Sequence, residues 1–585
     1  MFPLSRKTYT KTYTKNETTS WPIPNYWDGL ALLLVLAVII LLCYGANAMM
    51  ERFDVGQTIP IVLNPIELPY YALRTVLRML IAMFFSLLFT FIFGTWAAKS
   101  RQAERIIIPV VDILQSVPVL GFLTITVAAF VALFRGSLLG PECAALFSIF
   151  TAQAWNMALS FYQSFRTIPH DLQEAATMLQ LSAWQRFWRV EVPFAMPSLL
   201  WNIMLSMSGS WIFLVASEAI TVAGHNILLP GIGSYIGMAI GQANKLAVVY
   251  AIITMIIVIA LYDQLLFRPL AAWAEKFSIE VSVGGSEVQS WVLNLFQRTR
   301  FLRFIGNYFS LCGNAIVNCR LFCYHPVRKS VEYSRLLRRF LTISWNVMLI
   351  LAMITALYLL MRFILAEVRW SEVLHVFYLG FITGLRVTIL LIISSVVWVP
   401  IGVWVGLRPK VSRFVQPIAQ FLAAFPANLL FPIMVMLIMR FALNVNTYTS
   451  PLMILGAQWY ILFNVIAGTM ALPKNLYHVV GTLNVKGWLW WKRFMLPAIF
   501  PHYITGAITA AGGAWNTSII SEAVSWGSTH LHATGLGAYI AIISQQGDFP
   551  RLALAIMVMS LYVLAFNHGV WRSLYCLAEQ KFQLK

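Results

Sequence analysis

The chain has 585 residues, of which 59% are hydrophobic and only 11% are charged. Soluble globular domains carry about a quarter charged residues, so this composition excludes an ordinary soluble protein and indicates a membrane protein. The formal net charge of +19 does not indicate a nucleic-acid partner, because the basic residues gather beside apolar runs. That distribution is typical of membrane proteins, whose basic loops stay in the cytoplasm.

The chain begins with a polar, basic stretch, residues 1–28. We expect this stretch to be a cytoplasmic tail. No short apolar core with a cleavage site precedes the first long apolar run, so a removable signal peptide is not predicted.

Twelve apolar segments are long enough to cross the hydrocarbon core of a bilayer, which takes about 20 helical residues. The first six are 29–49, 72–98, 108–134, 144–164, 197–221 and 247–268. The second six are 342–364, 376–406, 414–440, 451–471, 500–524 and 550–571. An even number of spans returns the C-terminus to the cytoplasm. We therefore predict an all-α polytopic membrane protein with about twelve transmembrane helices and both termini inside.

The two halves of the chain repeat each other. Residues of the segment 168–197 recur 304 positions later in the segment 472–501, and upstream the offset becomes 308. The matched pairs include Pro169 and Pro473, Leu179 and Leu483, Trp184 and Trp488, Arg189 and Arg493, Pro193 and Pro497, and Asn156 and Asn464. Because each half has an even number of spans, this internal duplication gives two parallel repeats related by an axis along the membrane normal.

The repeat divides the chain into a first membrane domain at 29–271, a basic cytoplasmic linker at 272–341 and a second membrane domain at 342–585. Four potential metal ligands cluster in the linker: Cys312, Cys319, Cys323 and His325. Their spacing matches no standard zinc pattern, so we expect free thiols and no metal site.

The segments 168–197 and 472–501, called here the first and second polar segments, interrupt the apolar pattern. In the first, Ser182 opens a capping box for a helix on which Trp184, Phe187 and Trp188 share one face. Pro193 and Pro197 are expected to end this helix before the fifth span. An amphipathic helix on the lipid surface would have the same composition. Its repetition at equivalent places favours two cytoplasmic knobs that dock a pair of partner subunits.

The first polar segment resembles the EAA loop of ATP-binding-cassette (ABC) importer permeases. It has Glu174-Ala175-Ala176, the hydrophobic Leu179 and the closing Pro193 of that pattern. The resemblance implies two fused permease domains of the type I importer fold, each docking in the groove of a cytoplasmic ATPase subunit. Glu174 would pair with basic ATPase residues, and the two alanines would permit close approach.

By this resemblance the ATPase-docking positions are Glu174, Ala175, Ala176, Leu179, Gln180, Trp184, Phe187, Arg189 and Pro193, with Leu483, Asn484, Trp488, Arg493 and Pro497 in the second segment. Two departures from the pattern matter. The usual glycine between the helices is Gln180 and Asn484 here, and glutamine tolerates a left-handed turn less well than asparagine. The second segment also replaces the acid by His478 and both alanines by valine, so unequal ATPase contacts are expected.

The motifs Trp211-x6-Glu218 and Trp515-x6-Glu522, each followed by Gly-x-Gly-x-Tyr-Ile, resemble permeases for nitrate, sulfonates, taurine and bicarbonate. The resemblance implies a bacterial inner-membrane transport subunit working with two ATPases, which bind ATP-Mg, and an extracytoplasmic binding protein. This chain shows no phosphate-binding loop, so no enzymatic activity, catalytic residue or cofactor is predicted for it. Two alternatives are kept: a ferric-iron or thiamine importer, where fused pairs are familiar, and a proton-coupled secondary transporter.

Glu218 and Glu522 lie near the outer ends of the fifth spans. A carboxylate at membrane depth faces either a water-filled cavity or a specific partner. These residues either line the path or its outer gate, or accept hydrogen bonds from backbone amides in the loops that carry Gly231 and Gly535. Asn156 and Asn464, in the fourth spans, are weighed as substrate contacts but favoured as hydrogen bonds between helices.

Overall fold

The structure, a computed structural model, describes residues 60–222, 225–274, 291–299, 311–318, 335–470 and 474–574, with a few single positions outside these ranges. The predicted tail, nearly all of the predicted first span 29–49 and most of the linker lie outside the described residues. So do Cys319, Cys323 and His325. No cluster of three metal-ligating side chains occurs in the part of the chain that is described.

The described residues form a helical membrane protein. In the first half the helices are Leu68–Phe89, Thr95–Lys99, Arg101–Ser116, Val119–Leu133, Leu139–Arg166, His170–Met178, Ala183–Arg186, Val192–Glu218, Ile232–Gly241, Lys245–Tyr262 and Arg268–Ala274. The linker contributes Trp291–Arg298. In the second half they are Arg335–Leu365, Trp370–Gly406, Pro409–Ala424, Phe431–Phe441, Val445–Tyr448, Ser450–Leu455, Gln458–Met470, Lys474–Thr482, Gly487–Trp490, Leu496–Ser521, Leu536–Gln546 and Phe549–Phe566. The predicted all-α polytopic class with two repeats is confirmed.

Six of the described helices are long and apolar enough to cross a membrane, and nine segments qualify if each of three bent pairs counts as one span. The six are Pro65–Lys99, Ala183–Glu218, Lys245–Trp273, Trp370–Gly406, Gly487–Ser521 and Phe549–Leu574. The count of twelve spans therefore stays a prediction.

Three predicted spans are broken where straight helices were expected. The segment predicted at 108–134 bends by 100°, the one at 414–440 by 78° and the one at 451–471 by 42°. The first two breaks lie at Pro118 and Pro426, and the residue before each proline is extended. A proline ring disfavours the helical conformation of the preceding residue, so the helix ends there and restarts in a new direction.

The prediction that Pro193 and Pro197 end a helix before the fifth span is wrong. The second helix of the first polar segment and the fifth span form one helical element, Ala183–Glu218. A π-helical turn at Phe187–Glu191 lies just before Pro193. Because proline cannot donate an N–H, a wider turn with shifted hydrogen bonds accommodates it without ending the helix. The second half repeats this device with the π-turn Trp491–Met495 before Pro497.

Each fifth span ends in a two-stranded hairpin that the sequence analysis did not predict. The first hairpin pairs Ala219–Val222 with His225–Leu228 in antiparallel register. The second hairpin pairs Ala523–Trp526 with Thr529–His532 in the same way. The predicted fifth spans, 197–221 and 500–524, therefore extend about three residues too far.

The two halves pack against each other reciprocally. Val119–Leu133 of the first half contacts both Leu496–Ser521 and Phe549–Phe566 of the second half, and Pro409–Ala424 contacts Val192–Glu218. Where the helix restarts at Val119, its amide donates to Asn516 Oδ1 at 2.8 Å. The bent third spans of each half thus form much of the interface between the halves.

Candidate functional site: two polar segments and two buried carboxylates

The two polar segments share one backbone design. In the first, the helix His170–Met178 ends with Gln180 at φ 49°, in the left-handed region. The Gln180 amide donates to Thr177 O at 3.0 Å, and the Leu181 amide to Ala176 O at 3.1 Å. These are the two bonds of a Schellman turn, which favours glycine at the left-handed position.

The second polar segment closes its helix identically. Asn484 has φ 51°, its amide donates to Gly481 O at 3.1 Å, and the Val485 amide donates to Val480 O at 3.2 Å. The non-glycine residues Gln180 and Asn484 thus adopt the conformation of the glycine they replace. The same turn therefore separates the two short helices in both copies.

The start of the next helix differs between the copies. Ser182 Oγ accepts from the Gln185 amide at 3.2 Å, and Gln185 Oε1 accepts from the Ser182 amide at 3.0 Å. The predicted capping box is therefore confirmed. Its counterpart Lys486 makes no side-chain cap, and the following Gly487 has φ 61°.

Several predicted docking positions project from the surface. Glu174 is exposed and its carboxylate lies 3.0 Å from His170 Nδ1, one helical turn away. Met178 and Leu179 expose 83% and 72% of their surface, which is unusual for large apolar side chains. In the second segment Leu483 and Trp488 expose 68% and 75%. Each segment thus ends its first helix with an unpartnered apolar tip.

Two other predicted positions face the chain's own interior. Ala176 is only 2% exposed and Phe187 only 9%. The Phe187 ring packs against Phe165, with centroids 6.1 Å apart, and carries the Lys99 ammonium 5.1 Å from its centroid. Ala176 lies under the turn that Leu181 closes. These two side chains hold the first polar segment together. They do not form its outer surface, although the resemblance had implied that they would.

Glu191, which the sequence analysis did not single out, ties the first polar segment to the second span. It is 4% exposed; its Oε2 forms an ion pair with Lys99 Nζ at 2.7 Å, and its Oε1 accepts from Arg186 Nε at 2.8 Å. The counterparts of Lys99, Arg186 and Glu191 are Leu407, Trp490 and Met495. Burying a carboxylate costs free energy unless cations compensate its charge. Here Lys99 and Arg186 compensate the charge of Glu191.

Arg189, another predicted docking residue, contacts the linker. Its Nη2 donates to Asn318 Oδ1 at 2.9 Å, and Gln185 Nε2 donates to the same oxygen at 3.2 Å. Arg493, the counterpart of Arg189, is exposed. Trp184 packs edge-on against Trp188, with centroids 5.7 Å apart. Pro193 and Pro497 occupy the second residue of the helices that run on into the membrane.

Glu218 is completely buried in a network of charges at the far end of the fifth span. Its Oε1 accepts from Thr75 Oγ1 at 2.8 Å and from Arg78 Nη1 at 2.7 Å, and its Oε2 accepts from the Gly233 amide at 2.6 Å. Arg78 also holds Glu142, through Nε at 2.6 Å and Nη2 at 2.7 Å.

Arg74 completes this network by donating to Glu142 Oε1 at 2.9 Å. Two buried arginines therefore face two buried glutamates, Glu142 and Glu218, and their charges balance.

The second half has a smaller version of the same network. Glu522 accepts from Thr383 Oγ1 at 2.9 Å, from Arg386 Nη1 at 3.2 Å and from the Gly537 amide at 2.7 Å. In the second half, the residues equivalent to Arg74 and Glu142 are Ile382 and Ser450. One cation and one anion are missing together, so the charge balance is kept.

Of the two roles left open for Glu218 and Glu522, this geometry fits the structural one. Both carboxylates are fully buried and bonded to an arginine, a threonine and the loop after the hairpin. Each glutamate joins span two, span five and that loop. Arg74 and Arg78 carry a sequence signal that was missed: two arginines four residues apart, inside an apolar span.

The paired asparagines differ from each other. Asn156 Oδ1 accepts from Gln115 Nε2 at 2.9 Å, a bond between helices. Asn464 Nδ2 donates to Tyr460 O at 2.8 Å, one turn back in its own helix. Only the first therefore links two helices through these bonds.

Two equivalent helical membrane domains, each with a polar segment of the same backbone design, are typical of one class of protein: the permease of an ABC importer. The chain belongs to the family described as "Binding-protein-dependent transport system inner membrane component", whose family model matches residues 90–268 and 398–570. The family match occurs twice, once in each half.

Curated relatives agree with this family. The chain is 24% identical over 251 residues to the nitrate import permease protein NrtB of Synechocystis sp., covering 42% of this chain and 85% of the relative. It is 25% identical over 179 residues to the bicarbonate transport system permease protein CmpB of Synechococcus elongatus, covering 30% and 61%. It is 27% identical over 173 residues to the glycine betaine/carnitine transport permease protein GbuB of Listeria monocytogenes, covering 29% and 56%.

Proposed function

We propose that this chain forms the complete translocation path of an ABC importer and is driven by two cytoplasmic ATPase subunits that grip the segments 168–197 and 472–501. ATP-Mg binds to those subunits and not to this chain, and an extracytoplasmic binding protein delivers the substrate. The protein lies in the bacterial inner membrane with both termini in the cytoplasm.

One observation carries the proposal: the second helix of each polar segment is continuous with a span. Ala183–Glu218 is a single element of 36 residues, about 54 Å long at 1.5 Å per residue. A displacement of its cytoplasmic end therefore moves the far end as well. Approach of the two ATPases would push the knobs together and switch the cavity between the halves from inward-facing to outward-facing.

The supported substrate class is a small anion or organic solute. Nitrate and bicarbonate are the substrates in the names of two relatives, and glycine betaine is named for a third. Uptake of labelled nitrate, bicarbonate, taurine and an alkanesulfonate into vesicles holding the full complex tests this proposal. Uptake that persists in ATP-depleted vesicles with an imposed proton gradient would instead support the secondary transporter.

The docking role is tested by Glu174→Arg. The helix loses only the exposed pair with His170, a contribution of about 0.3–0.5 kcal/mol, so the fold is expected to survive. We expect at least a tenfold loss of transport and reduced copurification of the ATPase.

Asp171→Arg is the matched control, since it reverses a charge in the first turn of the same helix. It is expected to change transport less than twofold. Equal losses in the two variants would show that general surface charge, and not Glu174, matters.

A gain-of-function variant tests the second knob. Changing His478, Val479 and Val480 to Glu, Ala and Ala restores the EAA sequence there. We expect stronger ATPase retention than in the unmodified complex. No change in retention would indicate that the second knob does not use these positions.

A further inference from the structure

The two hairpins lie at the end of the bundle opposite to the polar segments. Each follows directly after a fifth span, at Glu218 and at Ser521. Backbone bonds close the base of each hairpin at the buried glutamate: the Leu229 amide donates to the main-chain oxygen of Glu218 at 2.9 Å, and the Ala533 amide donates to that of Glu522 at 2.8 Å.

Each hairpin reaches the other half of the molecule. Strand Ala523–Trp526 of the second hairpin contacts the helix Ile232–Gly241 of the first half. Strand Ala219–Val222 of the first hairpin contacts the helix Leu536–Gln546 of the second half. The exchange is reciprocal, as the parallel repeat requires.

The second hairpin crosses to the first half through both its turn and its side chains. Its turn residue Gly527 donates its amide to Ile240 O at 2.8 Å. Trp526 and Val524 are 8% and 5% exposed, and they lie in a core cluster composed mainly of first-half residues. The counterpart of Trp526 in the first hairpin is the smaller Val222.

We propose that the hairpins are the extracytoplasmic gate of the permease, with Trp526 as the side chain that seals it and Gly527–Ile240 as its latch. This inference rests on the proposed alternating-access function. The path runs between the halves, so structures that join the halves at one end close that end. Rotation of the halves would break the latch and withdraw Trp526, whereas the glutamate anchors would keep each hairpin attached to its own half.

A disulfide across the latch tests the gate. A Cβ atom built on Gly527 lies 3.3 Å from the Ala243 Cβ, close to the 3.5–4.5 Å of disulfides. In a chain whose six native cysteines are replaced by serine, Ala243→Cys with Gly527→Cys is expected to cross-link on oxidation. Transport should fall at least tenfold and return on reduction.

The matched control is a disulfide within one half. A Cβ atom built on Gly237 lies 3.1 Å from the Ala219 Cβ, and both residues belong to the first half. Ala219→Cys with Gly237→Cys should cross-link and leave transport within twofold of the reduced protein. Normal transport by the oxidised 243–527 protein would overturn the gate.

The effect of nucleotide on the cross-linking yield distinguishes failure of the gate from failure of the proposed function. With a non-hydrolysable ATP analogue bound to the full complex, the 243–527 yield should fall at least threefold and the 219–237 yield should not. An unchanged 243–527 yield in a complex that transports when reduced refutes the gate alone. Absence of ATP-driven transport by the reduced complex refutes the proposed function instead.

Trp526→Val, which copies Val222, tests the role of the Trp526 side chain in the gate. Introduced beside the 243–527 pair, it should lower the cross-linking yield at least threefold. An unchanged yield would remove Trp526 from the gate.

Discussion

The smaller charge network of the second half suggests a test of the larger network in the first half. The first half has Arg74 and Glu142, which lie 2.9 Å apart and are each 1% exposed. The second half has Ile382 and Ser450 at these positions. Changing Arg74→Ile and Glu142→Ser together therefore converts one network into the other.

The single substitutions unbalance the network. Glu142→Ser leaves two buried arginines facing Glu218 alone, and Arg74→Ile leaves two buried glutamates facing Arg78 alone. Removing one partner of a buried ion pair costs about 3–5 kcal/mol, because the remaining charge stays buried without compensation. We expect each single variant to lose that much stability.

The double variant keeps one cation and one anion. Its cost comes mainly from Arg78, whose Nε and Nη2 lose their bonds to Glu142, at about 1–3 kcal/mol per unsatisfied group. The two single costs sum to about 6–10 kcal/mol if they are independent. We expect the double variant to lose less than this sum by about 3 kcal/mol or more, a coupling that marks direct interaction.

The measurement is the apparent Tm of the purified complex, from the fraction that remains monodisperse on size-exclusion chromatography after heating. The double variant should have a Tm equal to or above that of the less stable single variant. A double variant whose Tm loss equals the sum of the single losses would refute the argument that charge balance governs this network.

Three further predictions concern the polar segments. Gln180→Gly should raise the Tm, because glycine removes a left-handed strain of about 1 kcal/mol. Asn484→Gly is expected to give a smaller increase, because asparagine tolerates this conformation; the reverse order of the two Tm changes would contradict this account. Glu191→Met alone should lower the Tm by leaving Lys99 and Arg186 unpaired, whereas the triple change Lys99→Leu, Arg186→Trp and Glu191→Met, which copies the second half, should lower it less. Equal losses would argue against the ion pairs.

The membrane class and the duplication could be predicted because hydropathy and residue matches are visible in the sequence, whatever the helices pack against. A run of about 20 apolar residues identifies a span whatever it packs against. The bends at Pro118 and Pro426 were missed because a hydropathy pattern does not register direction. The prolines were visible, but some proline-containing helices continue, as Val192–Glu218 does past Pro197.

The hairpins carried a local signal that the apolar pattern concealed. The stretch from Ala219 to Leu228 has β-branched residues on both sides of an Ala-Gly pair, a composition typical of strands and a turn. It directly continues the fifth span, so its first three residues, 219–221, were assigned to the helix. The buried glutamate offered the clue, since its carboxylate accepts amides from the loop that follows.

The docking surface could be predicted only in part, because a motif identifies positions and not the direction of side chains. Glu174 and Leu179 project outward as the EAA resemblance implied, but Ala176 and Phe187 face inward. The helix ends in a tight Schellman turn, and the bond from Leu181 to Ala176 O places that alanine beneath the turn. Its small size serves the turn of this chain.

A comparison of the two polar segments shows which features both copies keep and which features differ between them. Both keep a left-handed residue at the turn, although neither Gln180 nor Asn484 is glycine. Their attachments to the bundle are different: the ion pair of Glu191 with Lys99 in the first, and the bond that Tyr477 Oη donates to Thr469 O at 3.2 Å in the second. The backbone geometry of the turn is therefore retained, whereas the interior contacts that hold each segment in place differ.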